Sequence, residues 1–277
     1  SITIGLTDAQ GLVWTSSAGG VDAAGTKPTA TTLYGVGSVA KLLTTVAVMQ
    51  LVDQGKIGLD QPVAKYLPSF SMRSPQYRQI TMRMLLNHSA GFPGADYSNG
   101  FTTKPFPGYA KQALETLSRA TLKTTPGAIG VYCNDCFTVA GEVVAAVSGM
   151  PYTTYVDRNI LQPLGMRDSL FITKAMPAAG TVARTFEGNV MRPQEVTNIY
   201  ASGGLLSTPT DMGAFARMFI GEGTVGGVKV LTPQSVAEMG RDQVATTLNP
   251  VPDPYMIFGL GWDTVSAASM RFEGVKG

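Results

Sequence analysis

The sequence predicts an α/β fold: an antiparallel β-sheet built from residues near both termini, flanked by helices, with a mainly helical region inserted. Three observations carry this. Hairpin patterns stand at the two ends of the chain, helix patterns with marked starts and stops fill the middle, and one long apolar run opening at Ser38 has the character of a buried helix. The expected division is a discontinuous sheet region, residues 1–60 with 200–277, around a helical region, residues 61–199.

In chain order, the runs from Ile2 to Asp8 and from Leu12 to Ser16 flank Ala9-Gln10-Gly11 and read as a hairpin. After a small-residue loop, Thr32 to Val36 is strand-like and leads through Gly37 into Ser38 to Asp53, apolar on nearly every side, with Gly55 as its stop. Lys56 to Pro68 alternates turn signals with single apolar residues and marks a boundary. Thr81 is an N-cap for a short helix through Leu86, and helical spacing returns over Lys111–Leu122, Cys136–Val147 and Pro151–Leu161. Thr208-Pro209 and Thr232-Pro233 each pair a threonine cap with proline at the first helical position, and Gly221 and Gly240 close those helices. The runs from Ile257 to Val265 and from Met270 to Lys276 form the second hairpin pattern.

Composition narrows the function. The chain has 277 residues, 44% hydrophobic and 14% charged, enough for a sizeable core. A net charge of +2 without Lys/Arg clusters gives no case for a nucleic-acid partner. No uncharged apolar run reaches the roughly 18 residues of a membrane span. His88 is the single histidine, which excludes multi-histidine metal sites, and Gly-x-Ser-x-Gly is absent, so no metal or cofactor is implied and the nucleophile elbow is out. Cys133 and Cys136, in Cys-Asn-Asp-Cys, are too few for a four-ligand zinc site; they are read as two buried thiols rather than a local disulfide or redox pair.

Ser38-Val39-Ala40-Lys41 is the one Ser-x-x-Lys in the chain. On a helix, residues three apart share a face, so Ser38 and Lys41 are neighbours. A serine hydroxyl becomes nucleophilic when a base takes its proton, and a lysine serves as that base when apolar burial destabilises its ammonium. The helix start adds unpaired N–H groups, that of Ser38 included, suited to an oxyanion. The plainer reading is a helix cap and a solvated lysine. Against it, Lys41 is the only charged residue between Thr29 and Val52.

The chain resembles the class C β-lactamase and D-alanyl-D-alanine peptidase family of serine hydrolases, which includes penicillin-binding-protein-like enzymes and related esterases. The resemblance rests on six stretches in order: Gly37–Lys41; Leu51–Val63; Leu85-Leu-Asn-His-Ser-Ala-Gly91; Pro126-Gly127 with Tyr132-Cys133-Asn134; Pro163-Leu-Gly-Met166; and Ser202–Thr208. It implies Ser38 as nucleophile, Lys41 as base, Tyr132 as proton relay and Asn134 as the substrate-binding amide, with His88 structural. Two Tyr-x-Asn copies compete. Tyr132-Cys133-Asn134 follows Pro126-Gly127 and opens a helix, as the family pattern requires, whereas Tyr97-Ser98-Asn99 is read as loop chemistry.

The implied activity is cleavage of an amide or ester in a small-molecule or peptide substrate through an acyl-Ser38 intermediate, without a cofactor. The substrate class stays open among β-lactams, D-amino-acid peptides and esters. Alternatives are a carboxylesterase of the same family or a catalytically silent binding module. A periplasmic or secreted location is implied by the resemblance, and the chain shows no signal peptide of its own. The family's third motif, Lys or His before a small residue and Gly, is expected either to begin at Lys276 or to lie in a missing C-terminal segment; the family's N-terminal helix also has no counterpart before Ser1. The sequence is therefore expected to be trimmed at both ends.

Overall fold

A computed structural model describes residues 1–178, 180–243 and 258–262. The first elements are a hairpin of β1 (Ile2–Thr7) and β2 (Leu12–Ala18), then the short strand β3 (Tyr34–Gly35) and the helix α1 (Ala40–Asp53). In the hairpin turn the Asp8 carboxylate accepts from the N–H groups of Gln10 (2.8 Å) and Gly11 (2.9 Å), which explains why these polar residues separate the strands. Helices α2 (Val63–Tyr66) and α3 (Met82–Leu86), strand β4 (Phe101–Thr102), and helices α4 (Tyr109–Ser118), α5 (Asn134–Ser148) and α6 (Tyr152–Val156) follow. Next come β5 (Leu170–Phe171), β6 (Phe186–Glu187), β7 (Val190–Met191), β8 (Val196–Thr197), α7 (Tyr200–Gly203), β9 (Leu205–Ser207) and α8 (Pro209–Ile220). A small hairpin of β10 (Thr224–Val225) and β11 (Val228–Lys229) precedes α9 (Pro233–Met239).

The architecture is α/β, with helices packed around small antiparallel sheets. Among the described residues these are one three-stranded sheet, ordered β3-β9-β5, and four strand pairs. The β3-β9-β5 sheet places the chain leading into Ser38 beside the chain leaving α7, through the pairs Tyr34 with Ser207 and Gly35 with Leu206. The second hairpin pattern, with Lys276, lies outside the described residues apart from Phe258–Trp262.

Helix α1 is the axis of the core. Every residue from Ala40 to Leu51 is buried, polar ones included, so the uninterrupted apolar run has no solvent side to leave polar. Its buried hydroxyls are satisfied: Thr44 Oγ1 donates to the Ala201 carbonyl (2.6 Å) and bonds the Tyr152 hydroxyl (2.7 Å), and Thr45 Oγ1 donates to the Lys41 carbonyl (3.0 Å). Gly55, at φ 69°, turns the chain out of the helix in the left-handed region that glycine alone enters without cost. One cluster of buried apolar side chains runs from Ala40 to Leu260 and joins α1, α3, α5 and α8.

All three threonine caps form. Thr81, Thr208 and Thr232 accept from the N–H groups of Met84 (3.3 Å), Asp211 (3.2 Å) and Ser235 (3.2 Å). The predicted helix over Lys111–Leu122 instead spans Tyr109–Ser118. It ends early because the Ala120 carbonyl accepts from Arg73 N and Leu122 N donates to Ser74 Oγ, tying the chain to a different segment. The Pro151–Leu161 pattern forms α6 and then widens into a π turn over Asp157–Leu161.

Candidate active site

Ser38 sits in a 3₁₀ turn, Gly37–Val39, which Gly37 enters at φ 54°. The regular helix starts only at Ala40, so Ser38 is lifted to the exposed mouth of the site while Lys41, one turn below, is fully buried. The turn still leaves the two side chains adjacent. Lys41 Nζ lies 3.1 Å from Ser38 Oγ and donates a second bond to the Ser202 carbonyl of α7 at 2.9 Å. Lys41 Nζ also stands over the rings of Tyr132 (4.7 Å to the centroid) and Phe137 (5.6 Å), so two aromatic faces flank it.

On the other side of Ser38, the Tyr132 hydroxyl donates to Ser38 Oγ at 2.5 Å. Tyr132 comes from a loop, and its placement has identifiable causes. The chain from His88 to Gly91 pairs with the chain from Lys123 to Val131: Lys123 N donates to Gly91 O (2.9 Å), Gly127 N to Ser89 O (2.8 Å) and Val131 N to His88 O (2.9 Å). At Gly91 a Cβ would lie 2.4 Å from the Thr124 carbonyl oxygen, so the close approach requires glycine. His88 is buried, accepts from Cys133 N through Nδ1 at 2.9 Å and stacks on the Tyr132 ring at 4.8 Å. It ties the loop at Cys133 to the Tyr132 ring.

Cys133 caps α5, its Sγ accepting from Cys136 N at 3.1 Å. The expectation of two buried thiols is corrected here: Cys133 and Cys136 form a disulfide, with Cα atoms 5.4 Å apart. The spacing of one helical turn from cap to first turn brings the sulfurs together, which sequence spacing alone does not distinguish from a thiol pair.

Asn134, the first residue of α5, donates from Nδ2 to the Tyr97 hydroxyl at 2.6 Å. Tyr97 lies in the irregular loop, as read from the sequence, and its hydroxyl meets Asn134, whereas the bond to Ser38 comes from Tyr132. Sequence reasoning also missed Asp135, buried at the start of α5 beside Asn134. Burial, with a smaller contribution from the Asp96 carboxylate, pushes its acid up to about 7. Its only sequence signal is an acid within a helix whose first turn is otherwise uncharged. The Ser202 carbonyl, too, is a backbone group that no side-chain motif announces.

Three of the four residues named from the sequence therefore meet, Ser38, Lys41 and Tyr132 in one hydrogen-bonded set, while Asn134, two positions beyond Tyr132 in the chain, bonds Tyr97. The arrangement offers a nucleophilic oxygen touched by one amine and one phenol, each able to exchange protons with it. Among the described residues no group of His, Cys, Asp and Glu side chains could hold a metal ion, and no helix is long and apolar enough to cross a membrane.

Comparison with known proteins gives the chain's relatives. Protein Rv1367c of Mycobacterium tuberculosis is 31% identical over 241 residues, covering 77% of this chain and 60% of its own. The D-alanyl-D-alanine-carboxypeptidase/endopeptidase AmpH of Escherichia coli is 27% identical over 243 residues, covering 85% and 62%. The chain thus spans about 60% of the length of these curated relatives. Among solved structures, the octameric penicillin-binding protein homologue from Pyrococcus abyssi superposes with a TM-score of 0.74 at 25% identity, over 94% of this chain and 59% of that one. The D-amino acid amidase from Ochrobactrum anthropi gives 0.74 at 22%, over 94% and 73%, a likeness of fold. The model of the beta-lactamase family matches residues 1–274, and the chain belongs to that family.

Proposed function

We propose that this protein is a serine hydrolase that cleaves an amide or ester bond through an acyl-Ser38 intermediate. The observation that carries the reading is Ser38 Oγ held between Lys41 Nζ at 3.1 Å and the Tyr132 hydroxyl at 2.5 Å. In the proposed cycle Lys41, as the neutral amine, takes the Ser38 proton while Oγ adds to the substrate carbonyl carbon. The Tyr132 hydroxyl gives its proton to the leaving group as the bond to it breaks, and the proton held on Lys41 restores the phenol. Water then enters by the reverse route, releasing the acid and Ser38. The backbone N–H of Ser38 would supply one oxyanion donor. Asn134, with its amide plane fixed by Tyr97, would position the substrate.

The relatives named above as a carboxypeptidase and an amidase support amides of small molecules or peptides as the substrate class. The division into a sheet region (residues 1–60 with 200–277) and an inserted helical region (61–199), with Ser38 at their junction, belongs to the same proposal. So does an oxidising compartment, periplasmic or extracellular, which the Cys133–Cys136 disulfide supports.

The test is covalent labelling. Incubation with a fluorophosphonate followed by intact-mass and peptide analysis should give one adduct, on Ser38, that Ser38→Ala abolishes. Absence of any adduct on the folded wild type, with β-lactams also unreactive, would favour the catalytically silent binding module.

A further inference from the structure

Next to the hydrogen-bonded set is a cavity of about 280 Å³ lined by Tyr132, Asn134, Asp135, Tyr97 and Phe92. Asp135 is 3% exposed, and its Oδ1 has no hydrogen-bond partner. A carboxylate at the start of a helix complements the helix dipole, but an exposed side chain achieves that without the cost of desolvation. Burial without a partner is what calls for an explanation. Lys123 is a cationic side chain on the cavity wall, but it is exposed and makes no ion pair with Asp135 among the described residues. No second carboxylate lines the cavity, so a divalent metal would lack ligands there, whereas a single carboxylate flanked by aromatic faces suits an organic ammonium.

We propose that this cavity is a specificity subsite in which Asp135 anchors a protonated primary amine carried by the substrate close to its scissile bond. The inference rests on the acyl-Ser38 reading for its place in catalysis, because the cavity wall formed by Tyr132 also carries the hydroxyl bonded to Ser38. It narrows the substrate class from amides and esters in general to amino-acyl derivatives with a free amine. The raised pKa of Asp135 agrees with an unfilled need for a cation, since an ammonium in the cavity would restore the ionised form. The groups facing Asp135 are the Asp96 carboxylate, which opposes its ionisation, the phenols of Tyr97 and Tyr109, His88, and Lys123 on the wall.

The experiment uses the p-nitroanilides of alanine (both enantiomers) and 4-aminobutyrate, each compared with its N-acetyl form. The readout is the amine-to-acetyl ratio of kcat/KM, in which a general loss from disturbed packing cancels. The ratio should be at least tenfold in the wild type, fall at least tenfold in Asp135→Asn, and recover in part in Asp135→Glu. With the 4-aminobutyryl pair the wild-type ratio should rise as pH passes through about 7, as Asp135 ionises, and this slope should vanish in Asp135→Asn. Calorimetric titration of the wild type with benzylamine and with benzyl alcohol needs no turnover; the amine should bind at least tenfold tighter. A wild-type ratio near one, a ratio unchanged in Asp135→Asn, or equal binding of benzylamine and benzyl alcohol would each overturn the subsite. No turnover of any anilide together with no Ser38 adduct would instead remove the catalytic reading, and the benzylamine titration would still decide the subsite.

Discussion

Replacing Tyr132 by phenylalanine removes one oxygen and leaves the ring. The ring keeps its stacking on His88 at 4.8 Å and its place 4.7 Å from Lys41 Nζ, so what disappears is the 2.5 Å bond to Ser38 Oγ. If the hydroxyl merely orients Ser38, the loss is that of one ordinary hydrogen bond, about 0.5–1.5 kcal/mol, or a factor of about 2–12 in rate. If it relays a proton to the leaving group, the loss is about 10²–10⁴, equivalent to about 3–5.5 kcal/mol of barrier. The two ranges do not overlap, so one rate constant separates them. The assay is single-turnover acylation by an anilide, whose leaving amine must be protonated, set against a p-nitrophenyl ester, whose leaving phenolate need not be. The variant should lose at least a hundredfold on the anilide and much less on the ester, with an unchanged thermal midpoint. A loss below tenfold on the anilide, or equal losses on both substrates, would refute the relay.

Lys41→Arg keeps the charge but removes the base, because guanidinium is not deprotonated in proteins, and acylation should fall by at least about 10³; wild-type rates in a fluorophosphonate labelling time course would rule out the lysine base. Gly261→Ala should cost about 2–4 kcal/mol in denaturant unfolding, because the glycine is at φ 73° and an added Cβ would lie 2.2 Å from Thr45 Oγ1; a change under 1 kcal/mol would show that α1 yields at that point. Burial raises the pKa of Asp135 from an ordinary 3.8 to about 7 in the folded state, so the native state retains the proton longer than the unfolded chain and stability falls as pH rises between those values. Asp135→Asn lacks that penalty and should gain about 2–4 kcal/mol relative to wild type at pH 8 over its difference at pH 4; parallel pH profiles would contradict the buried, unpaired carboxylate. Reducing the Cys133–Cys136 disulfide opens a very short loop, worth about 2 kcal/mol by chain entropy, and should slow acylation as well, since Cys133 separates Tyr132 from Asn134; equal rates with and without reductant would mean that α5 and the His88 contact hold the loop unaided.

What could be read from the sequence is local chemistry repeated within a few residues. The burial of α1 follows from an apolar run whose single charge before Asp53 is Lys41, and the three threonine caps follow from a threonine placed just before each helix. The pairing of Ser38 with Lys41 follows from helical spacing, even though the turn at Ser38 is 3₁₀. What could not be read depends on chain segments meeting from a distance. Tyr97 and Asn134 are 37 positions apart, and their bond depends on how an irregular loop is laid over α5. The unpaired state of Asp135 is a property of what packs over it, not of its neighbours in sequence. Cys-x-x-Cys is the intermediate case: spacing permits the disulfide, and the geometry of the α5 cap decides it.

The two halves of the site differ in how freely they can change. Lys41 belongs to a core helix buried from Ala40 to Leu51, where almost any substitution disturbs packing on every side, and Ser38 sits in the turn that leads directly into it. Tyr97, Tyr132 and the cavity wall around Asp135 hang on loops tied down by a few backbone hydrogen bonds and one disulfide. A library aimed at new substrates is therefore best spent on residues 93–99 and 123–131, whose side chains lie outside the buried core. Diversity placed in Ala40–Leu51 would be lost mainly to unfolded protein.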